Sequence, residues 1–192
     1  MTLHPSFIIG PPLNALASSS IEGFRKLCTG KVPLIPELHA GCIDVRDCAH
    51  AHILALKATA GTLHGERIII NDKSFWMRDQ MKIIRDHFEE KGLRRIPTRE
   101  AGVKLLTLIG MFDGTVKMFI PRLGVHVNFK NDKSKSMLGM KYNRNLETTF
   151  VEMVQGMLDH GIIEYDKPTF MENNRAYIIT ALAVACVGAA VY

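Results

Sequence analysis

Short apolar runs alternate with stretches of helical periodicity along this chain, and their order predicts its elements. Phe7-Ile8-Ile9, entered through His4-Pro5 and stopped by Gly10-Pro11-Pro12, has the form of a buried strand. A serine run follows, in which Ser19 and Glu22 have the S-x-x-E spacing of a capping box. Ile21, Phe24, Leu27 and Cys28 then form one helical stripe, ended by Gly30. Residues 31–39 read as a loop held by Pro33 and Pro36, residues 41–45 as a strand, and residues 48–60 as an alanine-rich helix with Asp44 and Asp47 as acceptors at its start. Residues 67–72 give another buried strand. A helix is then predicted from Ser74, with Met77, Met81, Ile84 and Phe88 on one face and Gly92 as its stop.

Residues 94–99 read as an extended link around Pro97. Between 101 and 120, Leu105, Leu106, Leu108, Ile109 and Phe112 cover more than one face, so a helix buried on two sides or lining a pocket is expected. Val125 to Phe129 alternates like a half-buried strand. Residues 131–138 suit a short helix closed by Gly139. Leu146, Phe150, Val151, Val154, Met157 and Leu158 share a face of a last helix, with Gly161 beyond it. Strand–helix alternation implies an α/β fold. With three or four strands in view and a mainly helical second half, the expectation is the trailing part of a nucleotide-binding α/β domain together with a small α-rich lobe. Residues 1–164 form that domain in this reading, 165–175 a linker and 176–192 an apolar tail.

Composition narrows the partners. The net charge is +5, and lysines and arginines are dispersed with few aromatics between them, which argues against a nucleic-acid face. Cys28, Cys42, Cys48 and Cys186 have no metal-ligand spacing, and buried thiols of a cytoplasmic protein are expected. His50 and His52 lie two apart on a predicted helix and cannot share a metal, so no metal site is expected. Residues 176–192 carry no charge and reach the lower limit for a membrane span. Two readings stand for them: a C-terminal anchor with Lys167 and Arg175 keeping the domain on the cytosolic side, or a helix folded back on the domain.

Several segments together resemble the extended short-chain dehydrogenase/reductase superfamily, within it the NAD-dependent epimerase/dehydratase domains of the dihydroflavonol-reductase-like branch. They are His4-Pro5-Ser6-Phe7-Ile8-Ile9-Gly10-Pro11, the run Ile43-Asp44-Val45-Arg46-Asp47-Cys48-Ala49-His50-Ala51-His52, Trp76-Met77-Arg78-Asp79, Ile96-Pro97-Thr98-Arg99, and residues 131–139. The resemblance implies an α/β fold that is the C-terminal part of a Rossmann-type NAD(P)-binding domain plus a small α-rich substrate lobe, the N-terminal half of the sheet absent. It implies that Pro5, Ser6, Phe7 and Ile8 contact a nicotinamide ring, largely through backbone groups, and that Ser20, opening the next helix, is a further contact to NADP or NAD. Proline suits this place physically, because it donates no N–H and fixes the direction of the chain around it. It also implies hydride transfer to or from a carbonyl or alcohol of a small, hydrophobic substrate.

Two family motifs are missing from the sequence. No Gly-x-x-Gly-x-x-Gly turn for the pyrophosphate is present, since Gly61 and Gly65 lack a third partner at the required spacing. No Tyr-x-x-x-Lys pair exists either: Tyr142, Tyr165 and Tyr177 are followed four residues on by Leu146, Thr169 and Ala181. No catalytic residue is therefore assigned, and the chain is expected to be a truncated form, inactive alone. It would then need a complementing N-terminal half, or a second copy of itself, as partner. The alternatives are a non-catalytic, membrane-anchored or partner-binding remnant, and a nucleotide-sugar epimerase/dehydratase or 3-beta-hydroxysteroid dehydrogenase-like enzyme. Asp44, Arg46 and Asp47 are expected to form an ion-pair and capping cluster, and Trp76 to pack in the core or line a substrate pocket.

Overall fold

The computed structural model describes residues 1–16, 18–59, 61–111, 117 and 119–166. The opening apolar run is two strands, not one. Strand β1 (Thr2–Pro5) runs parallel to β5 (Arg67–Ile70), in register from Thr2 beside Arg67 to Pro5 beside Ile70. The Ser6 N–H donates to the Ile70 carbonyl at 2.9 Å, and the chain then leaves that sheet. Strand β2 (Phe7–Ile9) enters a second sheet, parallel to β4 (His39–Asp44). A proline suits the last position of β1, where the next bond to β5 is supplied by the Ser6 N–H and none is required of residue 5 itself.

On its other side β4 pairs antiparallel with β6 (Lys73–Trp76), from His39 beside Trp76 to Cys42 beside Lys73. This corrects the helix predicted from Ser74. Phe75 and Trp76 take a pleated edge, which suits aromatic residues, and helix α3 (Met77–Phe88) begins only after them. A small parallel pair joins β3 (Ile35–Pro36) to β7 (Glu100–Ala101), inside segments expected to be loop and link.

Helix α1 (Ser19–Cys28) is capped by Ser18, whose Oγ accepts from the Ile21 N–H at 3.5 Å. The predicted capping box therefore does not form: the cap lies one residue earlier, with Ile21 three residues on, and Glu22 takes two bonds from Arg25, at 2.6 and 2.7 Å. Helix α2 (Val45–Lys57) starts three residues before its expected position, because Asp44 is its cap. Helices α4 (Val103–Gly110), α5 (Asp132–Leu138) and α6 (Leu146–Asp159) follow. Gly139 and Gly161, with φ of 64° and 65°, end the last two where a side chain would be strained.

Strand β2 stands between two apolar clusters. Phe7 packs on the first, which contains Phe24, Met81, Ile84, Phe88, Phe150 and Met153; Ile8 packs on the second, which contains Ile43, Ala51, Ile68, Ile70 and Leu138. Two expectations fail nearby. Helix α4 is not buried on two sides: Leu105 and Leu108 are 43% and 56% exposed. Residues 125–129 form no strand: the Val127 N–H goes to the His39 ring rather than to a neighbouring strand. Tyr165 and Asp166 stay attached to the lobe: Asp166 accepts from the Arg94 N–H at 2.7 Å and pairs with Arg95. The rest of the expected linker and the apolar tail, with Cys186, lie outside the described residues. Among the described residues no helix is long and apolar enough to cross a membrane.

Candidate functional site

The site is built from the point where the chain passes between sheets. Pro5 is exposed there, with no N–H of its own, and the edge of β1 opposite β5 has no partner strand among the described residues. Ser6 is half-buried. Its N–H is spent on Ile70, and its hydroxyl oxygen is buried without a hydrogen-bond partner. Phe7 and Ile8 turn their side chains into opposite clusters, and their backbones are in the ladder with β4. Of the four residues in this run, Pro5 and Ser6 thus have side chains not taken up by the apolar clusters. Ser20 is half-buried in the first turn of α1, and that helix meets β2 through Phe24, whose ring centroid lies 6.0 Å from that of Phe7.

The start of β4 carries an aromatic group that periodicity did not single out. His39, 5% exposed, stacks on His126 with ring centroids 4.1 Å apart and lies 4.8 Å from the Trp76 ring. The Val127 N–H donates to His39 Nδ1 at 2.9 Å, which fixes the neutral ring with its proton on Nε2. Burial, with the neighbouring His126, pulls the His39 pKa below its ordinary value. Arg78 lies 5.1 Å from the Trp76 ring centre. The one sequence signal was the dispersed pair of histidines, one on a strand and one on a segment 87 residues later, which no local pattern joins.

At the far end of β4, Asp44 is fully buried and accepts from the Arg46 N–H, Nε and Nη2 at 2.7, 2.9 and 2.6 Å, and from Thr149 Oγ1 at 2.6 Å. Arg46 Nη2 continues to Glu152 at 2.6 Å. The expected ion-pair and capping cluster is present, extended to α6. Asp47 is its outlying member and accepts from the Arg144 N–H at 3.3 Å. Burial opposes the charge on Asp44, but these bonds outweigh it and hold the carboxyl below its usual range.

Other chemistry is quieter. Burial pushes the Cys28 and Cys42 thiols up to about 12, which leaves little thiolate. Tyr142 bonds Ser134 Oγ at 2.7 Å, and burial raises its pKa, the reverse of an activated phenol. His50 and His52 are exposed, and His52 Nδ1 bonds the Cys48 carbonyl oxygen at 2.8 Å. Among the described residues no three metal-binding side chains converge.

No family model matches the chain. Comparison with known proteins nevertheless finds relatives. The NADPH-dependent methylglyoxal reductase of Saccharomyces cerevisiae is 32% identical over 125 residues, which is 65% of this chain and 31% of that protein. The relatives and structural neighbours of this chain are NAD(P)-dependent reductases. They are of the short-chain dehydrogenase and epimerase-like kind. Cinnamoyl-CoA reductase 1 of Arabidopsis thaliana is 32% identical over 62 residues, 32% of this chain and 18% of that protein. The crystal structure of the yeast methylglyoxal/isovaleraldehyde reductase with NADPH superposes with a TM-score of 0.58 at 27% identity, over 84% of this chain and 47% of that one. The fold is thus the α/β, Rossmann-like fold of these reductases. The chain spans between 18% and 47% of the length of these three proteins.

Proposed function

We propose that residues 1–164 form the nicotinamide-side wall and substrate lobe of an NADP(H)-dependent reductase that acts on the carbonyl group of a small molecule. The crossing at Pro5 and Ser6 carries this reading. It presents an exposed proline, an unpartnered buried hydroxyl and an open strand edge at one place. A hydroxyl with no protein partner, beside an open strand edge, is a group that a ligand reaching the crossing could bond. NADPH in the yeast structure gives the choice of NADP over NAD its support.

When bound, the nicotinamide would supply the hydride. Pro5 and Ser6 would hold it through their side chains, Phe7 and Ile8 would fix the backbone beneath it by anchoring in the two cores, and Ser20 would offer its hydroxyl. Proton transfer is assigned to no residue here, because no tyrosine has the lysine that would lower its pKa. The pyrophosphate turn and the acid/base pair would come from a complementing chain or segment.

The test is a titration of the full chain with NADPH. Trp76, the only tryptophan, transfers its excitation to the reduced nicotinamide if the two come close. Saturable transfer, competed by NADP+ and weakened at least fivefold by Pro5→Gly, is expected. Absence of saturable binding refutes the cofactor assignment. NADPH oxidation with methylglyoxal by this chain alone refutes the statement that the proton donor lies elsewhere.

A further inference from the structure

Residues 124–131 cross the beginning of β4 without a helix or strand of their own. Both ends of this strap are tied to the backbone of other elements. The Gly124 N–H donates to the Glu37 carbonyl at 2.8 Å, beside the bridge between Leu38 and Leu123, and Asn131 Nδ2 donates to the Asn71 carbonyl at 2.8 Å. Between its ends the strap rests on His39 and Gly41, which stand two apart on β4 and so face the same way. Phe129 covers Gly41, its Cδ2 2.5 Å from where a Cβ would stand. His126 stacks on His39 with the ring planes 23° apart, and the Val127 N–H donates to His39 Nδ1. Among the described residues that is the only hydrogen bond from the middle of the strap to the sheet.

The direction of that bond decides its chemistry. An imidazole nitrogen accepts only while it carries no proton, so the single proton of neutral His39 is on Nε2. A second proton has one place to go, Nδ1, where it would meet the Val127 N–H head-on. The latch and the imidazolium therefore exclude each other. A histidine that donated to a carbonyl would keep its bond on protonation and could not act this way.

Groups on every element around the ring set its charge. Burial, together with His126 on the strap, opposes a cation and holds the His39 pKa below its ordinary 6.5, whereas Asp79 in the first turn of α3 favours one. Arg78 places its guanidinium over the neighbouring Trp76 ring and pairs with Glu100 of β7 at 3.3 Å. Glu37 stands beside Gly124, and Lys130 on the strap is exposed. We propose that residues 124–130 are a pH-gated strap. Neutral His39 latches it across β4, and protonation of His39 frees its middle while Glu37 and Asn71 hold the ends. Release uncovers Gly41 and takes His126 from the edge of the Trp76 ring. Open strap leaves His39 near its ordinary 6.5, so each pH unit between that value and the lower closed one raises the open-to-closed ratio up to about tenfold.

The test is amide hydrogen exchange of the full chain by NMR at about pH 7.5 and 5, expressed as protection relative to the intrinsic rate at each pH. Val127 is expected to lose protection at least about fivefold at the lower pH, while Ile43 in β4 and Ile68 in β5 change less than about twofold. His39→Asn offers an amide oxygen near the place of Nδ1 and takes up no proton, so it should keep Val127 protected at both pH values. His39→Leu has no acceptor and should leave Val127 unprotected at both. Loss of protection at Val127 in step with Ile43 and Ile68 is global unfolding and overturns the strap. An equal loss in wild type and His39→Asn, or no loss in wild type, overturns it as well. If His39→Asn does not fold, the nitrogen shifts of the wild-type His39 ring decide. Nδ1 must gain its proton over the pH range in which Val127 loses protection, and a mismatch of more than about one pH unit overturns the proposal.

Discussion

Replacing Asp44 by alanine should cost about 3 kcal/mol of folding stability, and the structure separates the contributions. The carboxylate caps α2 through the Arg46 N–H, and a lost cap costs about 1 kcal/mol. It also anchors the Arg46 guanidinium from a fully buried position. Removing one member of a buried pair costs about 3–5 kcal/mol when the other charge stays buried. Arg46 is 34% exposed and keeps Glu152, so about 2 kcal/mol applies here. Thr149 keeps its bond to the Asn145 carbonyl at 3.1 Å, which spares a further orphan. With a urea m-value of about 2 kcal/mol/M for a chain of this size, the midpoint should fall by about 1.5 M with m unchanged. Asp44→Asn retains an acceptor for the cap and should lose about half as much. The folded pKa lies below the ordinary 3.8, so the contribution is complete above that pH and disappears as pH falls through the folded value. Stability curves of wild type and Asp44→Ala should therefore converge below pH 3.8. A midpoint shift under about 0.25 M, or a difference that persists undiminished at pH 2, would refute the argument.

Three further outcomes follow from local geometry. His39 has a lowered folded pKa, so its contribution is complete above about 6.5 and is lost as pH falls toward the folded value. Its protonation removes the acceptor for the Val127 N–H and places charge against His126, with Asp79 as a partial counterweight and Arg78 on the adjacent Trp76 ring. Thermal midpoints between pH 8 and 5 should drop more steeply for the wild-type chain than for His39→Phe; parallel slopes would contradict this. Gly23→Ala meets no atom within 4 Å and should raise the stability of α1 by about 0.5–1 kcal/mol, whereas Gly156→Ala places a Cβ 2.8 Å from Pro12 Cδ and should lower the midpoint in differential scanning fluorimetry. Cys28 and Cys42, buried with thiols near 12, should resist iodoacetamide at pH 8 in the native state and react at once in urea, as mass spectrometry would record.

Helices with a single apolar stripe were legible in the sequence: α1, α2, α3 and α6 follow their periodicity, and the glycines after α5 and α6 end them as expected. Strands were less so. Lys73-Ser-Phe-Trp has a serine that suits a helix cap, and only its pairing with residues 39–42 makes it β6. The alternation at 125–129 suggested a strand, yet Val127 spends its N–H on a histidine ring and Phe129 lies on a glycine. Such partners are 88 residues away in sequence, beyond any local rule. The same limit applies to the candidate site. Pro5 and Ser6 were marked by resemblance, but their place between two sheets follows only from two strand registers that the sequence does not print.

The two registers also explain why a proline and a serine stand at the crossing. A strand that changes sheets must end one ladder and begin another within one or two residues. Pro5 has no N–H to leave unpaired at the end of β1, and Ser6 still joins Ile70 by its N–H before Phe7 enters β2. Any residue with an N–H could make that last bond, so the backbone does not require serine there. A buried hydroxyl without a partner is a cost that alanine would avoid. Under the function proposed above, a nicotinamide bound at the crossing would offset that cost. The strand switch that builds the fold thus also places the Ser6 hydroxyl at the junction between the two sheets.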